Sequence, residues 1–368
     1  MALVPSAANE ASTAAQAPEA ATPFVTYLAE KLPLVEEALA QASATPLTTS
    51  DAEPQADLAR YLYDPLARFT ASGGKRVRPV LALLGAEAVG GRAEEALSAG
   101  VAIELFQSAA LIHDDIADES ELRRGEPCLY RTEGTGPAIN VGDLALTRVF
   151  EVVMDDEALP VERRLRVLRE LARMERHTLE GQALDLGWVR DARWDVSSEN
   201  YFYMVDAKTA WYSAACPLMV GALAAGGSKE AAAGLFELGR HAGVAFQLQD
   251  DLLNLVGNAE AQGKDFRSDI TEGKRTLAVV WALEHLDAEG HQELVGLLES
   301  KTADSGKLSR AVELIEEGGG IAECQRRARE HSAAAQAKAH ALAETGHISV
   351  EARDLLCSMA DFFVERAG

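Results

Sequence analysis

The stretch LIHDDIADESELRRG, residues Leu111 to Gly125, decides how this chain is read. It follows an apolar run, ELFQSAALI, whose spacing is helical. In a helix Asp114 and Asp118 lie one turn apart and project from the same face, with Asp115 to one side. Two carboxylates about 4 Å apart repel by about 4 kcal/mol at an effective dielectric near 20. A buried helix face that ends in such a pair needs a cation or a proton. Hard divalent ions suit oxygen ligands, and Mg²⁺ binds through one or two carboxylates together with substrate phosphate. A second stretch, FQLQDDLLN at 246–254, repeats the pattern with Asp250 and Asp251. Asn254 stands where Asp118 stands in the first, and Gln247 lies one turn before Asp250 on the same face. Asp265 and Asp269 in KDFRSD are again four apart. A lone acidic run is usually a solvated face; two runs, each continuing an apolar helix, point to metal binding.

The rest of the chain supports a helical frame. All 12 prolines lie at or before Pro217, so nothing after it interrupts a helix by ring closure. Helices are expected over 24–42, 76–89, 93–115, 142–154, 161–186, 198–223, 231–255, 276–286 and 292–300. No series of alternating β-branched runs suggests a sheet, and no internal repeat is visible. Residues 1–23, rich in Ala, Pro, Ser and Thr, read as a weakly ordered leader, with one all-α domain over 24–368.

Composition narrows the function. Apolar residues make 48% of the chain and charged ones 25%, as in a globular protein. The formal charge of −23 argues against nucleic acid as a partner. Four scattered cysteines form no CxxC pair, which fits a reducing compartment and no zinc. The most apolar stretches, such as Ala214 to Gly227, are shorter than the roughly 18 residues of a membrane span, so a cytoplasmic location is expected.

Against the acidic background, cations gather in glycine-containing loops: SGGKRVRP at 72–79, RRG at 123–125, Gly263–Lys264, and GKR at 273–275. Glycine bares backbone N–H groups, and Lys and Arg bind phosphate oxygens. GGKR lacks the spacing of a P-loop. Beside two metal-type acidic motifs, these loops point to a diphosphate held by Mg²⁺ and arginine.

Together GGKRVRP, DDIAD…RRG, GQALDL, KT, FQLQDD and GKD…GKRT resemble the trans-isoprenyl diphosphate synthases, and most of all the bacterial geranylgeranyl diphosphate synthases. The resemblance runs from about Leu58 to Leu277. It implies an all-α fold of long helices around a deep cavity, a homodimer, and condensation of isopentenyl diphosphate with an allylic diphosphate (dimethylallyl, geranyl or farnesyl). It implies three Mg²⁺ ions with substrate bound. By the same resemblance Asp114, Asp115 and Asp118 are metal ligands on one wall, with Asp250 and Asp251 on the other. Arg123, Lys208, Lys264 and Lys274 hold the allylic diphosphate. Gly74, Lys75, Arg78 and Arg124 hold isopentenyl diphosphate, with Gln107 where many relatives carry His. Thr209 and Gln247 stand near the reacting carbons, and Gln182 and Asp185 match inner-helix positions. The last residues, VERAG, lack the basic tail with which some relatives close the site.

The growing chain is expected to run from Asp114 toward the start of its helix. Ala109 and Ala110, about one turn back, are small; Phe106 lies about 12 Å back and would act as a floor. That favours a twenty-carbon product, geranylgeranyl diphosphate, with twenty-five carbons or more as the alternative. Two other readings compete: a class I terpene cyclase, which has no second diphosphate to hold, and an inactive helical subunit that tunes a partner synthase.

Overall fold

The computed structural model describes residues 22–44, 54–257 and 267–365. The expected leader, apart from its last two residues, lies outside them, as do Lys264 and Asp265. The helices are α1 Pro23–Ser43, α2 Gln55–Leu58, α3 Asp64–Ala71, α4 Val77–Ala88, α5 Leu97–Ala117, α6 Leu129–Glu133, α7 Thr135–Met154, α8 Val161–Arg190 and α9 Ser198–Val205. They continue as α10 Cys216–Ala224, α11 Lys229–Val256, α12 Ser268–Glu272, α13 Leu277–His285, α14 Ala288–Glu299, α15 Ser305–Glu317, α16 Gly320–Glu344 and α17 Val350–Glu365. The expected all-α class holds. Among the described residues the sheet content is one antiparallel ribbon, β1 Leu122–Arg123 and β2 Glu126–Pro127.

Sequence chemistry sets the boundaries. Ser228, Thr276, Asp287 and Asp304 each place a side-chain oxygen on a backbone N–H three residues on, starting α11, α13, α14 and α15. The helices α15, α16 and α17 are additional to those expected. α16 is rich in Ala, Arg and Glu, which form helix without a strong apolar stripe, so packing rather than periodicity reveals it.

The centre is α5, flanked by α7 and α4, with α10 beyond α4 and α11 against α16. The helix over Ala93–Ala117 has the length and mean hydropathy (1.3) to cross a membrane, which corrects the expectation drawn from Ala214 to Gly227; 72% of it is buried in the fold, so it serves as core. Between α9 and α10 the chain winds as a π-helix over Asp206–Ala215, closing on the bond from Cys216 N to Trp211 O. Wide turns of this kind often mark functional sites, and this one carries Lys208 and Thr209. It passes so close to α8 that a Cβ at Gly181 would stand 2.3 Å from Lys208 N. Glycine in GQALDL is what lets the two elements meet.

Candidate active site

Two cavities open beside the centre of the fold. The first, about 920 Å³ with its open mouth, brings Asp114 and Asp118 of α5 together with Asp250 of α11, Lys208 and Thr209 of the π-helix, and Arg123 and Lys274. Burial pushes the Asp114 carboxyl up from its ordinary range; Lys208 draws it down, and Asp118 pushes it up again. Gln182 Nε2 donates to Asp114 Oδ1 at 2.7 Å and fixes its direction. Arg123, Lys208 and Lys274 each already face a carboxylate. Lys208 pairs with Asp185, and Lys274 Nζ lies 3.3 Å from Asp118 and 2.5 Å from Glu272. Burial would lower the Lys208 ammonium, but Asp185 holds it above its usual range. Burial would likewise lift Asp185, yet Lys208 holds it down.

Neighbours in the acidic motifs separate. Adjacent helical residues diverge by about 100°, and Asp115 turns off the cavity wall into the protein, where it is 1% exposed and accepts from Arg123 Nε at 2.9 Å. Expected beside Asp114 as a ligand, it is paired here with Arg123. Asp251 reaches the cavity but accepts from Tyr201 Oη at 2.7 Å and from Gln247 Nε2 at 2.6 Å. Burial, followed by Asp269, pushes its carboxyl up. Gln247 Oε1 in turn accepts from Thr209 Oγ1 at 2.9 Å, so Thr209, Gln247, Asp251 and Tyr201 form one chain of bonds. Asn254 spends its amide on the segment after it, donating to Ser268 Oγ and accepting from Asp269 N, both at 3.2 Å.

The second cavity, about 670 Å³, gathers Gly74, Lys75, Arg78, Gln107 and Arg124, all named from sequence, with Phe246, Phe362 and Phe363. The ribbon divides its arginines: Arg123, in β1, lines the first cavity and Arg124, at the turn after it, the second. At the turn Arg124 takes φ +54° and Gly125 φ +81°. Burial and the nearby Arg76 both lower the Arg124 guanidinium. Arg78 donates to Ser213 Oγ at 2.9 Å, and its Nε is buried with no partner. Gly74 stands at φ +139°, where an added Cβ would come within 3.2 Å of both Arg76 and Arg124. The bare backbone therefore leaves the cations room.

Arg76 was missed as a separate role. It is 3% exposed and reaches Glu36 at 2.7 Å, Glu104 at 2.7 Å and the Thr70 carbonyl at 2.5 Å. Its φ of +48° is the signal of a forced geometry, and no local pattern announces it. Tyr212 was also missed. Its ring lies 4.5 Å from the Arg78 guanidinium, forming the partition between the cavities, and 5.7 Å from Phe106. The three expected chain-length residues lie one to two turns back along α5. Ala109, wholly buried, packs with Leu66, Phe69 and Val141 on the far side, while Ala110 is half-buried. Leu111, not singled out before, lines the first cavity.

The sequence model of the polyprenyl synthetase family matches residues 59–315. This chain belongs to the polyprenyl synthetase family. It is 39% identical over 297 residues to a short chain isoprenyl diphosphate synthase of Methanothermobacter thermautotrophicus, covering 80% of this chain and 87% of that one. It is 35% identical over 358 residues to the geranylfarnesyl diphosphate synthase of Natronomonas pharaonis, covering 92% and 97%. The fold matches the crystal structure of geranylgeranyl pyrophosphate synthase from Corynebacterium glutamicum complexed with isoprenyl diphosphate and magnesium, with a TM-score of 0.81, 31% identity, and 91% and 99% of the two chains covered. The chain is thus a trans-prenyltransferase that elongates prenyl diphosphates.

Proposed function

We propose that this enzyme joins isopentenyl diphosphate head to tail to an allylic diphosphate and delivers geranylgeranyl diphosphate. The observation that carries this is the pair of cavities sharing one partition, Tyr212 and Arg78, with metal-type carboxylates on one side and, on the other, four cations against the single carboxylate Glu104. A cyclase would have no use for the second cavity.

The carboxylates fit a hard divalent ion. Asp114 is buried beside Asp118 with its proton affinity raised, and Asp250 lines the same cavity. These three would hold Mg²⁺, which supplies Lewis-acid neutralisation of a departing diphosphate. The remaining work falls to the chain. Arg123, Lys208 and Lys274 bind the allylic diphosphate, each held in direction by its own carboxylate. The allylic C–O bond breaks, and its electron pair leaves with diphosphate. Thr209 Oγ1, fixed by Gln247, presents an oxygen to the carbocation. Lys75, Arg78 and Arg124 hold isopentenyl diphosphate in the second cavity, so that its double bond attacks across the partition. The released diphosphate takes the proton, and a new double bond closes the cycle. Asp115 and Asp251 act as anchors for Arg123 and Gln247.

The homodimer belongs to the same proposal. Val161, Leu165, Leu179 and Leu186 are separated by four, fourteen and seven residues along α8, each close to a whole number of turns, and are 40–64% exposed. Such a stripe on one helix is what a second copy would cover. The four free thiols fit a reducing cytoplasm.

The test is product analysis. The protein is incubated with Mg²⁺, labelled isopentenyl diphosphate and each of dimethylallyl, geranyl and farnesyl diphosphate, with a chelator control. A chelator-sensitive twenty-carbon alcohol after dephosphorylation is expected. A longer product would keep the condensation and remove the Phe106 floor; no condensation with any primer would overturn the proposal.

A further inference from the structure

The second cavity has two unlike kinds of lining. One is cationic, built from Lys75, Arg78 and Arg124; the other is aromatic, built from Phe246 of α11 and Phe362 and Phe363 of α17. The aromatic lining is assembled from helices more than a hundred residues apart in sequence. Phe246 and Phe363 meet edge to face with centroids 5.1 Å apart and planes at 69°. Phe362 lies 6.1 Å from Phe363. Behind them stands Phe24 of α1, fully buried, 5.6 Å from Phe362 and 6.5 Å from Phe363. The Phe24 backbone N–H donates to Ser358 Oγ at 3.1 Å, which ties the first turn of α1 to α17. One helix therefore braces both linings of the cavity, since Glu36, also on α1 and about 18 Å further along it, holds Arg76 beside Lys75.

We propose that Phe362 and Phe363, braced by Phe24, form the apolar half of the isopentenyl diphosphate pocket and set its selectivity for a short unsubstituted hydrocarbon tail. This rests on the assignment of the second cavity to isopentenyl diphosphate. The chemistry of the lining supports it. The diphosphate is paired by guanidinium and ammonium groups. Of the remaining lining, Glu104, Gln107 and Ser213 are polar, and the apolar surface that a five-carbon tail can meet is supplied by the rings of Phe246, Phe362 and Phe363, against which a tail bearing a hydroxyl would lose water without replacement. Ring faces also keep water from the cation cluster, which strengthens its hold on the phosphate oxygens. Phe362 and Phe363 contact the tail; Phe24 is a positioning residue that acts through them.

The experiment compares four variants of the full-length enzyme: Phe362→Ala, Phe363→Leu, Phe24→Leu and Arg78→Met. Phe362 is only half-buried, and Leu keeps most of the volume at the other two aromatic positions, so folding is tested separately by melting temperature. The Michaelis constant for isopentenyl diphosphate is expected to rise about tenfold in Phe362→Ala and about threefold in Phe363→Leu and Phe24→Leu, while the constant for farnesyl diphosphate stays within about twofold and kcat within about threefold. Arg78→Met, the reference for the cavity, is expected to raise the same constant by about thirtyfold. An unchanged isopentenyl constant in the three aromatic variants, beside a raised one in Arg78→Met, would overturn the proposal alone. No change in any of the four would remove the cavity assignment with it. Equal losses for both substrates with a lowered melting temperature would show the aromatics to be merely structural, and would also overturn the proposal.

Discussion

The two cavities lie on either side of Tyr212, yet they are organised on opposite principles. In the first, acids outnumber cations, and the cations Lys208, Lys274 and Arg123 are already paired with carboxylates from the protein. In the second, the one deeply buried cation, Arg76, is consumed by Glu36 and Glu104, and Arg78 keeps a buried Nε with no partner. The first is completed by adding positive charge and the second by adding negative charge. A substrate brought in with its metal therefore belongs in the first cavity, and a bare anion in the second. Sorting two diphosphates that differ little in their head groups follows from this difference.

The most severe way to break the contrast is to remove the cation site. Asp114→Asn is expected to lower kcat by about 10³-fold and to raise the Mg²⁺ concentration needed for half-maximal rate, since even outer partners of metal ligands cost 10- to 100-fold. Asp115→Asn, one residue on, is expected to lose only about tenfold with an unchanged Mg²⁺ requirement, because its partner is Arg123. Rates against Mg²⁺ concentration separate the two. Equal losses with equal metal dependence would show that Asp115 turns into the cavity.

The scaffold of the second cavity is the next target. Arg76→Met strands Glu104, which is 2% exposed, and is expected to cost about 3–5 kcal/mol of stability. The double variant Arg76→Met with Glu104→Met removes both charges and is expected to recover most of that loss by denaturant unfolding. A double variant no more stable than the single would mean that Arg76 serves through Glu36 and the Thr70 carbonyl instead.

These two regions were legible from sequence to different depths. The first could be read because carboxylates four apart on an apolar helix have few uses, and because two of its cations, Arg123 and Lys274, stand beside glycines. Helical spacing sets Asp115 to one side of the Asp114–Asp118 face, but what it meets there, Arg123, comes from the ribbon and only the fold shows it. The second cavity was half legible. Its cations share one short motif, GGKRVRP, but its aromatic half comes from α17 and its brace from α1, and no local pattern links Phe24, Phe246 and Phe363. Arg76 belongs to the same motif, but its side chain closes inward on Glu36 and Glu104. Likewise Ala109 and Ala110 look alike in sequence, and only packing shows that Ala109 faces α3 and α7.

That last distinction predicts how product length changes. Ala110→Phe, on the face of Asp114, is expected to shorten the main product by one five-carbon unit. Ala109→Phe is expected instead to overpack the contact with Leu66 and Phe69 and to cost about 1–3 kcal/mol with little change in product. Phe106→Ala is expected to lengthen the product. Because Phe106 supports Tyr212 and Tyr212 lies under Arg78, the same variant should raise the isopentenyl constant about threefold. Chain lengths by mass and initial rates check these outcomes. Shortening by Ala109→Phe but not by Ala110→Phe would reverse the assignment of faces.

The smallest effect sharpens the contrast on one helix. Asp185 and Glu175 both lie on α8. Lys208 overrides burial at Asp185 and holds it below the ordinary range, whereas at Glu175 burial acts alone, one carboxylate oxygen has no partner, and the carboxyl rises to about 7. The signs of their contributions are opposite. The folded protein binds a proton at Glu175 more tightly than the unfolded chain does, so this residue costs nothing below about pH 4.5 and destabilises increasingly as pH rises to about 7. Asp185 stabilises above the unfolded carboxylate range, and that stabilisation is lost as pH falls from there through the lowered range of the folded state. Glu175→Gln is therefore expected to gain about 1–2 kcal/mol at pH 8 and nothing at pH 4.5, after a discount for its partial exposure. Asp185→Asn is expected to lose stability at pH 8, where Lys208 is left facing a neutral amide. Urea unfolding at the two pH values decides it. A Glu175→Gln gain that persists at pH 4.5 would mean that shape, and not charge without a partner, is what the carboxyl costs.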